Sequence, residues 1–199
     1  FKRLYVDFNA YHSWYTDFIG YQFGLELTFN SAFPNRFETL QAYRVSANAS
    51  ELVTTQGVNL GLNYYLTDEL TLNGNYSYNA IDLRGSDNPI IPAFNTPKNK
   101  FNLGINGRGY KLFNHKENKM GFAINYKWVE GFRFEGSPQF TGFINSYGML
   151  DAQISYQVPY LYSTFKLGAS NVLNNEVFQV YGGPTIGRMA YFSIVFEKF

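Results

Sequence analysis

The feature that most constrains the fold of this chain is a strict alternation of apolar and polar residues. Over residues 70–80, leucine, glycine, tyrosine or alanine occupies every even position, and threonine, asparagine or serine occupies every odd one. Because successive side chains on a β-strand point to opposite faces, this segment is predicted to be a strand with one apolar and one polar face. The alternation recurs at residues 4–11, 58–64, 101–108, 122–128, 150–158, 165–170 and 190–197.

Strands of this kind suit two environments. In a soluble sandwich the apolar face looks into a core, whereas in a transmembrane barrel it meets lipid and the polar face lines the interior. Strand lengths of about ten residues, enough to cross a bilayer at a tilt, favour the barrel. So does a polar face of asparagine, serine, threonine and glycine. Aromatic residues also lie at the ends of the apolar stripes, where an interfacial girdle belongs: Trp14, Tyr64, Tyr76, Tyr78, Tyr126, Trp128 and Tyr156. The predicted fold class is all-β, a transmembrane antiparallel β-barrel with about eight strands.

Composition excludes several other classes of protein. Aromatic residues make up 20% of the 199 residues and charged residues only 16%, which argues against disorder. The chain contains no cysteine, so a disulfide scaffold is excluded, and no apolar run is long enough for a transmembrane helix. A net charge of +1 gives no broad attraction to nucleic acid.

The connections between the predicted strands alternate in length. Short connections lie at residues 67–69, 111–118 and 159–162, and long ones at about residues 20–40, 85–97, 131–147 and 173–188. Outer-membrane barrels have short periplasmic turns and long extracellular loops, so we assign the two sets accordingly. Residues 38–66 are predicted to form one long strand. A break at residues 46–50 would give nine strands and violate the even count of this class.

Several segments of the chain resemble one family of membrane proteins. Residues 4–11 followed by 15–19 look like an outgoing barrel strand of that family. Residues 56–60 (Gln-Gly-Val-Asn-Leu) look like its Gly-Val-Glu-Leu element, with Asn59 replacing Glu. Residues 168–175 (Gly-Ala-Ser-Asn-Val-Leu-Asn-Asn) look like its penultimate strand. Residues 92–97, 128–142 and 182–188 fit a subgroup. In order and spacing, these segments resemble the carboxy-terminal part of TonB-dependent outer-membrane receptors of the Bacteroidota type.

The resemblance implies a larger receptor than this chain. The family has a barrel of about 22 strands filled by an amino-terminal plug. Residues 1–199 would then be the carboxy-terminal β-barrel segment, with the plug domain, the TonB-contacting segment and the earlier strands absent from it. The first residue, Phe1, is not an initiator Met, which also predicts a partial chain. The resemblance implies energised nutrient uptake in the outer membrane of a Gram-negative bacterium. It implies contacts with lipid, the plug and TonB, and it leaves room for a surface lipoprotein partner.

Two alternatives remain open on the sequence. Eight strands can close a small barrel by themselves, which would allow a small outer-membrane enzyme with His12 near its outer rim. The chain can also be a structural subunit of a larger outer-membrane assembly. Neither His12 nor His115 has nucleophile and carboxylate partners at motif spacing, and no metal-ligand spacing occurs, so we predict no enzyme, no cofactor and no metal site.

The best candidates for substrate contacts lie in the long connections. Arg133, Phe134, Gln139 and Phe140 belong to the connection at residues 128–147, and Phe94 and Asn95 to that at residues 88–99. Aromatic rings beside arginine and amide groups suit a sugar, peptide or chelate, although the same rings can simply pack the loops together. Inward charges are expected to pair across the wall or with a plug: Asp7, Asp17, Arg108, Lys127, Asp151, Lys166 and Glu197.

Overall fold

The computed structural model describes residues 3–49, 52–82, 94–111, 117–136 and 140–197. Its strands are β1 (Leu4–Tyr15), β2 (Ile19–Phe29), β3 (Phe37–Asn48), β4 (Val53–Tyr65), β5 (Leu70–Asp82), β6 (Asn99–Lys111), β7 (Lys119–Val129), β8 (Phe132–Glu135), β9 (Thr141–Ile144), β10 (Tyr147–Val158), β11 (Ser163–Ser170), β12 (Val177–Phe178), β13 (Thr185–Ile186) and β14 (Met189–Phe196). A short 3-10 helix spans Pro159–Leu161. No helix in the described ranges has the length and apolar character needed to span a membrane.

Eight of these strands form one antiparallel sheet, which confirms the predicted all-β class and the strand count. Their order is β1-β4-β5-β6-β7-β10-β11-β14. Each strand therefore pairs with the next strand of this sheet in chain order, and β1 and β14 stand at the two ends. The remaining strands form three separate two-stranded hairpins, β2–β3, β8–β9 and β12–β13.

The register places the predicted apolar positions in continuous rows across the sheet. One such row runs Phe8–Leu60–Tyr76–Phe101–Trp128, with Phe101 and Trp128 stacked at 5.4 Å between ring centroids. Large side chains on this face are open rather than packed in a core; Leu103 is 57% and Phe192 is 64% exposed. A contiguous apolar surface of this kind is typical of a protein that faces lipid.

The opposite face is joined by amide side chains. Asn106 Nδ2 donates to Asn73 Oδ1 at 2.6 Å, and Asn102 Nδ2 donates to Asn75 Oδ1 at 2.8 Å. Both bonds join β5 to β6, and both lie on the polar face. Because each amide offers a donor and an acceptor, neighbouring asparagines can satisfy one another where bulk water is limited.

The prediction of a single strand over residues 38–66 is wrong, because β3 and β4 are separate strands. β3 pairs with β2, whereas β4 pairs with β1, and Ala49 N donates to Phe18 O at 2.8 Å where the two ladders meet. Asp17, with φ of 55°, marks the break between β1 and β2 and does not lie on the inner strand face. The expected violation of parity does not follow, since β3 is outside the eight-stranded sheet.

Two of the three predicted short turns lie within the described residues, and both are confirmed. At residues 66–69, Thr67 Oγ1 accepts the backbone N–H of Leu70 at 3.0 Å and closes the turn from β4 to β5. Between β10 and β11, Tyr162 takes a left-handed conformation with φ of 49° and follows the 3-10 helix directly. Most of the third turn, residues 112–116, lies outside the described residues.

Candidate functional site

The long connection between β7 and β10 folds as the hairpin β8–β9, which extends the β7–β10 ladder beyond the sheet. Val129 and Ile144 at its base are both 3% exposed, and Gly131 N donates to Ser146 Oγ at 2.8 Å. Burial of these apolar side chains at the base fixes the direction in which the hairpin projects. The predicted site residues Arg133, Phe134 and Phe140 lie on or beside this hairpin, and Gln139 lies outside the described residues.

Asn95 fastens the preceding long connection to the same hairpin. Its Nδ2 donates to the Glu135 carbonyl O at 3.0 Å, and its Oδ1 accepts the Glu135 backbone N–H at 2.7 Å. Its φ of 46° is one that asparagine tolerates better than most residues. The structure therefore brings Asn95 and the Arg133 hairpin together, a contact that the sequence analysis did not predict. The Asn95 amide, however, is occupied by its two hydrogen bonds to the Glu135 backbone, and a substrate contact at Asn95 or Phe94 stays a prediction.

Arg133 is the most accessible charged side chain of this group. It is 70% exposed and lies 3.6 Å from the Glu135 carboxylate, which is only 25% exposed. Burial raises the pKa of the Glu135 carboxyl above its ordinary value, and the positive charge of Arg133 opposes part of that rise. Because Arg133 is loosely held and mostly in solvent, it is free to meet an anionic group of a ligand.

Two aromatic rings lock the β8–β9 hairpin to the last long connection. The ring of Phe140 lies against Gly182, and the ring of Tyr181 lies against Gly142, so that a Cβ at either glycine would overlap the ring. The β8–β9 connection and the last long connection thus each supply one ring and one glycine to this contact. The Phe140 ring therefore packs two connections on one another, and a substrate contact at Phe140 stays a prediction.

Asn171 holds the base of the last connection. The residue is 2% exposed; its Nδ2 donates to the Asn175 carbonyl at 2.7 Å, and its Oδ1 accepts the Asn175 backbone N–H at 3.1 Å. Its own N–H donates to Asp151 Oδ1 at 2.8 Å on β10. The Asn-Val-Leu-Asn-Asn run is therefore a turn held by the one buried residue Asn171, and Asp151, predicted as an inward charge, accepts a backbone hydrogen bond there.

A cavity of about 620 Å³ opens between the two connections. On one side it is lined by Phe143 and Asn145, and on the other by Glu176, Phe178 and Tyr181. Phe143 and Phe178 are 62% and 50% exposed, so both rings are available to a ligand. Aromatic faces with a few polar groups suit a ligand that has flat or apolar parts together with hydrogen-bonding groups. We call this space the outer cavity.

Sequence reasoning missed the residues that line the outer cavity. The predicted residues came from the connections at residues 88–99 and 128–147, and none of those that the structure describes lines the cavity. Half of the lining comes from residues 176–182 in a third connection. The available signal was composition, since Phe178 and Tyr181 beside Glu176 repeat the aromatic and charged character of residues 128–147.

The described residues offer no support for catalysis or metal binding. They include no group of three metal-ligating side chains, and His12 lies edge-on to Trp14 with ring centroids 4.4 Å apart. That pair belongs to the apolar face, where it fits an interfacial girdle. His115 falls outside the described residues.

Comparison with known proteins agrees with this architecture. The family model described as "TonB dependent receptor-like, beta-barrel" matches residues 1–174, and no curated protein matches the chain. The closed form of the ferric-catecholate import receptor Fiu from E. coli K12 superposes with a TM-score of 0.59 at 12% identity, over 98% of this chain and 26% of that one. The siderophore receptor PirA from Acinetobacter baumannii gives 0.57 at 13% identity, over 96% of this chain and 29% of that one. The chain therefore spans less than a third of either solved receptor. Members of the TonB-dependent receptor family are transporters and not enzymes. The chain belongs to this family of Gram-negative outer-membrane β-barrels.

Proposed function

We propose that residues 1–199 form the carboxy-terminal barrel wall of an outer-membrane receptor that takes up a nutrient with energy transmitted through TonB. The observation that supports this proposal most strongly is the sheet itself, with one apolar face, one amide-rich face, and β1 and β14 at opposite ends of the strand order. A bilayer does not tolerate open sheet edges, because unpaired backbone groups find no water there. Additional strands that pair with β1 and β14 would remove these open edges, as they would in the larger plug-filled barrel that we propose.

The same observation weighs against a small eight-stranded barrel enzyme. Closing such a barrel requires that the first and last strands pair, and the register pairs β1 with β4 and β14 with β11. Within the described ranges neither strand has a second partner.

We place the nutrient's first contacts at the outer cavity and at Arg133 on the β8–β9 hairpin. The cavity offers the Phe143, Phe178 and Tyr181 rings, and Arg133 adds an exposed positive charge. This chemistry suits a ligand with flat rings and anionic groups. Because one structural relative is by name a ferric-catecholate import receptor, a ferric catecholate is the first compound to test.

Growth under iron limitation tests the proposed uptake. A strain that lacks the gene should lose growth on the ferric catecholate as sole iron source and regain it from a plasmid copy. Growth should also stop when TonB is removed, since uptake depends on transmitted energy. If the deletion strain grows normally on the catecholate, further single nutrients are screened. Uptake of a nutrient that needs the receptor but not TonB would contradict the proposal.

Substitutions at the outer cavity test where the ligand binds. Phe178→Ala should weaken ligand binding by about tenfold, because an aromatic contact and the area that it buries contribute roughly 1–2 kcal/mol. Leu173→Ala is the matched control, since this exposed side chain lies in the same connection but does not line the cavity. Equal binding by both variants would place the ligand elsewhere.

A protein partner at the outer surface is a second proposal, and it rests on the β2–β3 hairpin. One face of this hairpin presents Ile19, Leu25, Leu27 and Leu40, and Leu25 is 68% exposed. An apolar face of this size beyond the sheet favours contact with a surface lipoprotein or another subunit. Leu25→Asp should abolish co-purification of such a partner, whereas Gln22→Asp on the other face should not. Co-purification that is equal for both variants would argue against the hairpin as the contact.

A further inference from the structure

We propose that the polar face of the sheet contains an oxyanion pocket at its short-turn end, built by Arg108, Lys119 and Lys166 over Gly121. These residues line a cavity of about 210 Å³ together with Ser155 and Glu197. The group that fits is a carboxylate or a phosphate. Nothing in the proposed uptake of a nutrient requires this pocket, because it lies at the opposite end of the strands from the outer cavity.

A β-bulge directs Arg108 into the pocket. The pairing of β6 with β7 shifts register between Gly107 and Tyr110, so that Arg108 and Gly109 together oppose Gly121. Gly109 has φ of +81°, the left-handed conformation that defines a glycine bulge. Such a bulge leaves Arg108 on the polar face and returns Tyr110 to the apolar one, and bulges commonly re-aim side chains near functional sites.

Gly121 forms the floor of the pocket. A Cβ at this position would lie 2.9 Å from Ser155 Oγ and 3.0 Å from the Gly107 carbonyl O, so only glycine fits without a shift. The absent side chain leaves a depression below the three cationic groups. Ser155 Oγ faces that depression and can donate a hydrogen bond to an oxygen placed there.

The positive charges in the pocket are not neutralised within the described chain. The side chains of Arg108, Lys119 and Lys166 form no salt bridge or hydrogen bond with any other described group. Glu197 supplies one negative charge against three positive ones. Like charges gathered at one place on the polar face repel one another, and an oxyanion would offset that repulsion.

A lipid headgroup is the wrong source for this oxyanion, because the pocket opens on the polar face. The neighbouring apolar positions Tyr156 and Phe165 point to the other side of the sheet and do not line the pocket. The oxyanion therefore comes either from a carboxylate of polypeptide that lies over the polar face or from a soluble ion such as phosphate.

The intact receptor, purified in detergent, distinguishes these sources. Lys166→Met removes one charge and keeps most of the apolar stem, and Lys127→Met is the matched control on the same face outside the pocket. If the source is soluble, calorimetry will detect inorganic phosphate binding, which Lys166→Met weakens by about tenfold and Lys127→Met leaves unchanged. If the source is a carboxylate of the protein, phosphate will not bind. Lys166→Met will then lower the urea midpoint below that of Lys127→Met, and Lys166→Arg will restore it.

If the pocket binds no anion, the change in the urea midpoint caused by Lys166→Met has the opposite sign. Removing one of three clustered positive charges then relieves repulsion, so the urea midpoint of Lys166→Met stays level or rises. That outcome, together with no phosphate binding, overturns the proposal. Arg108→Gln gives the same comparison if Lys166→Met fails to assemble, since the Arg108 side chain is exposed and its backbone N–H still donates to Glu69 O at 2.9 Å.

Discussion

A charge placed on either face of one strand gives the sharpest test of the membrane orientation. Ile124 is the sixth of 11 residues in β7, and its cross-strand neighbours on the apolar face are Ile105 and Ala152. The adjacent Asn125 lies on the polar face opposite Asp151. The two positions differ by one residue along the strand, so they share the same depth in the membrane to within about 3 Å.

The expected cost differs because only one of the two side chains meets lipid. An arginine on the lipid face near the bilayer midplane costs about 2–4 kcal/mol. Ile124→Arg should therefore lower the ratio of folded to unfolded protein by roughly 30-fold to 800-fold. For Asn125→Arg we expect a loss below about 1 kcal/mol, since the new charge stays in the polar interior and can pair with the Asp151 carboxylate.

Urea unfolding of the receptor in lipid vesicles measures this difference. The chain has two tryptophans, and Trp128 lies at the outer end of β7 on the apolar face. Its fluorescence therefore reports the unfolding of the sheet. A larger loss for Ile124→Arg than for Asn125→Arg is the expected result. Equal losses, or a larger one for Asn125→Arg, would refute the assignment of the two faces.

Two further predictions concern the long connections. Asn171→Ala removes the side-chain partners of the N–H and carbonyl of Asn175, so we expect a loss of about 1–3 kcal/mol in urea unfolding, more than for Asp17→Ala, whose φ is also left-handed. Similar losses for both variants would mean that backbone strain, and not the buried amide, accounts for the effect. For Glu135, the folded-state pKa lies above the ordinary 4.5, because burial outweighs the attraction of Arg133. A raised carboxyl pKa makes the ionised form unfavourable in the folded state. The melting temperature should therefore fall as pH rises from 4.5 through the raised pKa, and Glu135→Gln should remove that dependence; an unchanged pH profile in the variant would contradict it.

Much of the wall could be predicted from the sequence because its signal is local. Alternation along a strand depends only on neighbouring residues, so the apolar and polar faces of β5 and β7 followed directly from residues 70–80 and 122–128. The turn at Thr67 was equally predictable, since its hydrogen bonds stay within four residues.

The break between β3 and β4 was not predictable in the same way. Residues 38–66 alternate well enough for one strand, and the division arises because β4 pairs with β1 while β3 pairs with β2. Choice of partner is a property of the whole sheet, and the local pattern does not encode it.

By itself the sequence determined the class of this protein, a membrane wall with two unlike faces, because the period of a strand and the chemistry of lipid and water leave few other uses for such a pattern. Only the tertiary structure decided where binding sites can exist. The outer cavity needs Phe143 and Phe178 from separate connections, and the oxyanion pocket needs Arg108 and Lys166 from strands that are far apart in the chain. Sites of that kind depend on distances in space, which register and loop packing fix and which spacing along the chain does not reveal.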